Sequence, residues 1–219
     1  MTRLRVRHAA LRCAAFGALL LGTGCERPAE LPPANDASAV STRDPAANAA
    51  APAPSPNASA LVLTPEGYGP LRIGMSLADL VTTYGPDSDP DVVGGPEPEL
   101  CDQFRPARAP EGLLVLVEEG RLSRITAMSG SEVETAKGLG VGATAAEVRA
   151  AYGALVRAEP HEYQDPPAEY LTIWTRGGAS GGEAAPPHSH GIRYEIGDDG
   201  KVAFIHAGGP SIQYVEGCL

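Results

Sequence analysis

The sequence predicts an α+β protein built from two tandem helix-plus-antiparallel-sheet repeats, behind an N-terminal segment that does not belong to the folded part. Three observations predict it. The run LRIGMSLADLVTTYG at 71–85 returns 68 positions later, without a gap, as LGVGATAAEVRAAYG at 139–153. Two apolar stretches interrupted by a Gly-containing turn, 112–128 and 191–207, read as β-hairpins and align with each other. Between them, YLTIWTR at 170–176 alternates as a strand does, with Leu171, Ile173 and Thr175 on one side and Tyr170, Thr172 and Trp174 on the other.

In chain order, residues 1–24 read as a secretory signal. Arg3, Arg5 and Arg7 precede an apolar run at 13–21 that is too short to span a bilayer as a helix. The run ends LLLGTGC, which resembles the lipobox of bacterial lipoproteins, although Gly22 holds the position where that pattern usually has leucine. The resemblance implies cleavage before Cys25 and lipidation of that cysteine, with the mature chain held on a membrane by its N-terminal lipid. Glu26 after the cysteine implies the outer membrane, facing the periplasm. Residues 25–60 are Ala, Pro, Asn and Ser with almost no large apolar side chain, the composition of a disordered tether.

The first repeat is assigned to 61–130 and the second to 131–219. Ser76 and Thr144 are helix N-cap types, and Asp79 and Glu147 follow three residues later, so a reciprocal capping box is expected at both helix starts. Leu77, Leu80, Val81 and Tyr84 form an inward stripe, matched by Ala145, Val148, Ala151 and Tyr152. Gly85 and Gly153 supply the helix stops. Each helix is then expected to be followed by about three antiparallel strands. A short strand around 100–104 and a final edge strand at 212–215 complete the expectation.

With Cys13 in the signal and Cys25 lipidated, Cys101 and Cys218 remain, and an oxidising compartment points to one disulfide between them. The formal net charge is −10, and residues 61–219 carry 11 Lys and Arg against 23 Asp and Glu. Nucleic acid is excluded as a partner on that balance, since phosphate binding needs clustered positive charge.

The phrase GPLRIGMSLADLVTTYGPD resembles the motif of the SmpA/OmlA (BamE-like) group, through Ile73, Gly74, Met75, Ser76, Asp79, Leu80, Tyr84 and Gly85. A tandem pair is also similar to the β-lactamase-inhibitor-protein architecture. The second copy has Ala143 where the motif has Met, and each repeat shows one helix where that group often has two. The resemblance implies the fold and an envelope location; the matched positions are turns, caps and core, and no contact residue carries over.

Chemistry-bearing patterns are sparse. Residues 178–182 spell G-x-S-x-G, yet two prolines follow at 186 and 187 where a nucleophile elbow needs a helix. His188 and His190, joined by His161 or His206, are weak metal candidates, and no dedicated metal site or cofactor is expected. Asp87, Asp89 and Asp91 open like a calcium loop, but Val92 and Pro98 stand where Gly and Glu are required. Trp174 and Tyr170 read as strand residues, and Glu118 and Glu119 as a solvated hairpin tip. The expected function is therefore non-enzymatic: a lipid-anchored envelope protein working through contact with an envelope protein partner. An inhibitor of a secreted or periplasmic hydrolase is the alternative, and a metal- or ligand-binding lipoprotein comes third.

Overall fold

The computed structural model describes residues 61–92, 94–178 and 184–218. The signal, Cys25 and the tether lie outside the described residues, as does most of the G-x-S-x-G sequence.

Three short strands open the described chain: β1 (Val62–Thr64), β2 (Gly67–Tyr68) and β3 (Leu71–Arg72). Helix α1 (Leu77–Tyr84) follows, then β4 (Cys101–Phe104), β5 (Leu113–Glu118) and β6 (Arg121–Ala127). After β7 (Glu134–Thr135) come α2 (Ala145–Tyr152), β8 (Arg157–Pro160), β9 (Glu169–Arg176), β10 (His190–Ile196) and β11 (Val202–Gly208). The expected α+β class is what the structure has. The hairpin strands do not form separate sheets: they join into one seven-stranded sheet in the order β4-β5-β6-β11-β10-β9-β8. A small sheet, β3-β2-β1-β7, pairs β1 with β7 in parallel and so links the start of the first half to the start of the second.

The two halves meet at β6 and β11, which run antiparallel with Ile205 opposite Ala127, His206 opposite Thr126, and Ala207 opposite Ile125. Both hairpins carry a register shift at the same place, between Leu116 and Val117 and between Glu195 and Ile196. Counting from the shift matches Leu114 with Arg193, Leu116 with Glu195, Arg124 with Phe204 and Thr126 with His206. Thr126 and His206 therefore face each other at the centre of the sheet, where a local two-fold would pass.

Both helix starts are pinned to their hairpin in one way. The Gly74 N–H donates to Leu122 O at 2.7 Å, the Leu122 N–H to Met75 O at 2.9 Å and the Leu77 N–H to Gly120 O at 2.9 Å. In the second half Gly142, Val202 and Ala145 make the corresponding bonds to Val202 O, Ala143 O and Gly200 O at 2.8, 2.8 and 3.2 Å. Gly74 and Gly142 reach this geometry with φ of +88° and +89°, a conformation that side chains with a Cβ resist.

Thr144 makes the full capping box, its hydroxyl accepting from the Glu147 N–H at 3.2 Å while Glu147 accepts from the Thr144 N–H at 2.8 Å. Ser76 accepts from the Asp79 N–H at 3.2 Å, but Asp79 bonds only the Ser76 hydroxyl, at 2.6 Å. The expected reciprocal box is thus absent from the first half. Aspartate is one methylene shorter than glutamate and does not return to the cap N–H. The inward stripes also narrow: Leu80 and Val148 are fully buried, whereas Leu77, in the first turn, is exposed.

One face of the large sheet carries Leu113, Val115, Val117, Ile192, Tyr194 and Ile196, packed with Leu80 and Val148 into a single core. Burying that set is the main stabilising term, at about 25 cal/mol per Å² of apolar surface. The edge strand expected at 212–215 is a 3₁₀ turn instead, Pro210–Gln213. Pro210 has no N–H for a ladder and sits at the helical N-terminus it favours. The turn packs against β6, β10 and β11. Cys101 and Cys218 are joined by a disulfide with Cα atoms 5.5 Å apart, tying the end of the chain to β4.

Candidate functional site

Side chains alternate along a strand, so the residues between the core positions of β10 must point to the opposite face. Between Ile192, Tyr194 and Ile196 lie Arg193 and Glu195, and the neighbouring strands add Arg124, Thr126, Tyr170, Thr172 and His206 to that open face. The chain returns over it twice, as the 161–165 segment that follows the edge strand β8 and as the 210–218 segment.

Glu195 is held between two imidazoles. His161 Nδ1 accepts the Tyr163 N–H at 3.1 Å, so the proton sits on Nε2, which donates to Glu195 Oε1 at 3.2 Å. His206 Nε2 faces Glu195 Oε2 at 3.5 Å, and its Nδ1 lies 2.9 Å from the Thr126 hydroxyl. The carboxylate only accepts, so Nε2 of His206 carries the proton and Thr126 donates to Nδ1. Burial alone would raise the Glu195 pKa; hydrogen bonds and charge from His206 and His161 more than offset it and hold it below the usual carboxylate value. Burial lowers His206 to about 4, opposed by its bond to Glu195, so the ring is neutral at neutral pH.

The order Thr126, His206, Glu195 is that of a nucleophile, its base and an orienting acid. Thr126 is buried, however, at the centre of the sheet. The array presents no attacking oxygen to the surface and serves as an internal polar network. It does not favour a metal either, because the proton on His161 Nε2 occupies the atom that would ligate.

Two buried guanidiniums flank the network. Arg124 donates from Nη1 to Ser211 O and Tyr214 O, both at 3.0 Å, and from Nη2 to Gln103 Oε1 at 2.7 Å, fastening the C-terminal segment over the face. Burial brings its pKa down to about 10, with Glu118 and Glu195 opposing. Arg193 lies over the Tyr170 ring, 3.7 Å from its centroid, and among the described residues has only Glu159 as an ion-pair partner, at 3.8 Å. Beside it opens a cleft of about 1370 Å³ whose walls include Glu159, Tyr170, Arg193, Tyr214 and Val215.

The residues singled out in sequence do not converge here. His188 is exposed, and His190, at the start of β10, is half-buried, with a pKa lowered by burial and then by Arg176. Among the described residues no three His, Cys, Asp or Glu side chains are grouped as a metal requires. Glu118 accepts from the Tyr214 hydroxyl at 2.9 Å, so it is a partner of the C-terminal segment as well as a hairpin-tip residue. Trp174 is half-buried while Tyr170 is buried under Arg193. Sequence reading passed over Arg124, Arg193 and Glu195, and weighed His161 and His206 only as additional metal ligands beside His188 and His190, a grouping that the described residues do not show. The available signal was the alternation in GIRYEI, which sets Arg193 and Glu195 on one side of a strand with an apolar opposite side.

Comparison of the chain with family models, with curated proteins and with solved structures finds no match.

Proposed function

We propose that this chain is a lipid-anchored protein of the bacterial envelope, held through Cys25, that acts by contact with another envelope protein through the open face of its large sheet. The carrying observation is the cleft on that face. Leu100, Tyr214 and Val215 line it and are 59%, 42% and 40% exposed, an apolar rim left open among the described residues. Support for the tandem BamE-like reading comes from the two matched helix starts and the two hairpins with matched register shifts. Inhibition of a hydrolase is the second reading, favoured by one specific feature: two similar units present one continuous sheet face to a single partner.

Photo-crosslinking in cells tests both, with the crosslinker placed at Tyr214 or Leu100 and, as helix-side controls, at Thr82 or Ala150. The expected outcome is an adduct with one envelope protein from the cleft positions only, formed by a mature chain that begins at acylated Cys25. Adducts with a hydrolase would move the function to inhibition. Equal labelling from both sets of positions would remove the open face from it.

A further inference from the structure

We infer that the cleft is a receptor for a carboxylate on an otherwise apolar ligand, with the Arg193 guanidinium as its anchor. Arg193 is 5% exposed, and its Nε is buried without a hydrogen-bond partner among the described residues. The Glu159 carboxylate, 3.8 Å from Nη2, lies outside hydrogen-bond range. A guanidinium offers five N–H donors, and the one on Nε is left unmade in a desolvated place, which is costly. Arg124, on the same face, also has a buried Nε without a hydrogen bond, but its two terminal nitrogens make three hydrogen bonds, whereas those of Arg193 face only Glu159 at 3.8 Å among the described residues. Burial holds Arg193 below the ordinary guanidinium value, with Glu159 the first of the groups opposing it.

Geometry selects the ligand class. Tyr170 stacks on one face of the guanidinium, which leaves its N–H edge for a planar, bidentate acceptor. Glu159, itself partly exposed, stands where such an acceptor would bind and acts as a loose internal substitute. The rim also carries Glu118, Glu119 and Glu162, so a doubly charged phosphate would meet strong repulsion, whereas a monoanion loses less. Tyr214 and Val215 supply apolar wall for the remainder of the ligand. The carboxylate has two sources, a free small acid or the C-terminus of a polypeptide. The inference does not rest on the contact reading: crosslinking fails or succeeds at the rim regardless of whether acid binds at Arg193.

The test titrates the mature chain with 3-phenylpropionate and its amide, and with acetyl-Ala-Phe as free acid and as amide. The readouts are calorimetry and the Arg193 Nε–Hε NMR signal. The acids are expected to shift that signal and to bind at least tenfold more tightly than the amides. If both acids bind, a small acid suffices; if only the peptide acid binds, a polypeptide terminus is the source. Arg193→Gln abolishes the preference for the acid. Because that variant removes a buried group, Glu159→Gln is the decisive one: freeing the guanidinium should tighten acid binding severalfold. Acid and amide binding alike, binding by neither acid, or no gain in Glu159→Gln would overturn the inference.

Discussion

The first and second halves of this chain share a largely apolar, buried face toward the helices and differ on the face turned away. Val115, Val117, Leu122, Ile125 and Ala127 match Tyr194, Ile196, Val202, Ile205 and Ala207, and all are buried in one core. On the opposite face Leu114 and Leu116 of the first half give way to Arg193 and Glu195, and Thr126 to His206. The core constrains one side of each strand; a return segment of chain decides what the other side tolerates. Both leucines are buried as apolar groups, while Arg193 is buried and Glu195 half-buried as charges, which requires partners. His161 and Glu159, from the segment the second half inserts between its helix and β9, are those partners. Arg193, Glu195 and His206 of the second half thus join Arg124 and Thr126 of the first on this face without disturbing the shared frame.

The edges of the sheet differ too, and the largest predicted effect tests that. The first half ends in β4, tied by the disulfide, while the second ends in β8, with no covalent tie. Replacing Cys101 and Cys218 together by serine removes a crosslink spanning 117 positions and should cost about 4 to 5 kcal/mol in urea unfolding. Hydrogen exchange should then accelerate in β4 and at 214–218 ahead of β8. Faster exchange at β8 would show that the second half's edge is the weaker one even without the crosslink.

The next effect belongs to the second half alone. His206 is neutral when folded, with a pKa of about 4 against 6.5 when unfolded, so the unfolded chain binds more protons between those values. Stability is therefore full above about 6.5 and falls as pH drops toward 4, by about 3 kcal/mol over the window. Glu195, also lowered, adds in the same direction below the usual carboxylate value. Arg124 and Arg193 disfavour a proton on His206, and Glu195 favours one. His206→Gln should flatten the pH dependence of urea unfolding between 6.5 and 4.5. An unchanged slope would assign it to other groups, because the matched Thr126 does not titrate.

How much of this was legible in sequence follows from the range of the interactions involved. The helices, their stops and both hairpins are written in caps, glycines and periods spanning a few residues, and they fall where those signals put them. Strands β2, β3 and β7 have two residues each, too few to show a period. Strand β8 reads Arg-Ala-Glu-Pro, mostly exposed and ending in proline, so neither apolar alternation nor composition marks it. The polar face was illegible for a different reason. Arg193 and Glu195 look like solvent-facing strand residues until His161 and the 210–214 segment, distant in sequence, come back over them.

The smallest predicted effect would make the halves more alike. Asp79→Glu lengthens the first half's acid by one methylene, enough to reach the Ser76 N–H as Glu147 reaches that of Thr144. Helix α1 should then gain a reciprocal box and Tm should rise by about 1 to 2 °C, the scale of a few tenths of a kcal/mol for a domain of this size. The gain carries a pH signature. Hydrogen bonding to the cap lowers the Glu147 pKa, so the box contributes above the ordinary carboxylate value and is lost as pH falls through the folded one. A rise in Tm at pH 7 that vanishes near pH 3 would assign the difference between the helix starts to side-chain length. A rise that persists at pH 3 would instead assign it to the higher helix propensity of glutamate.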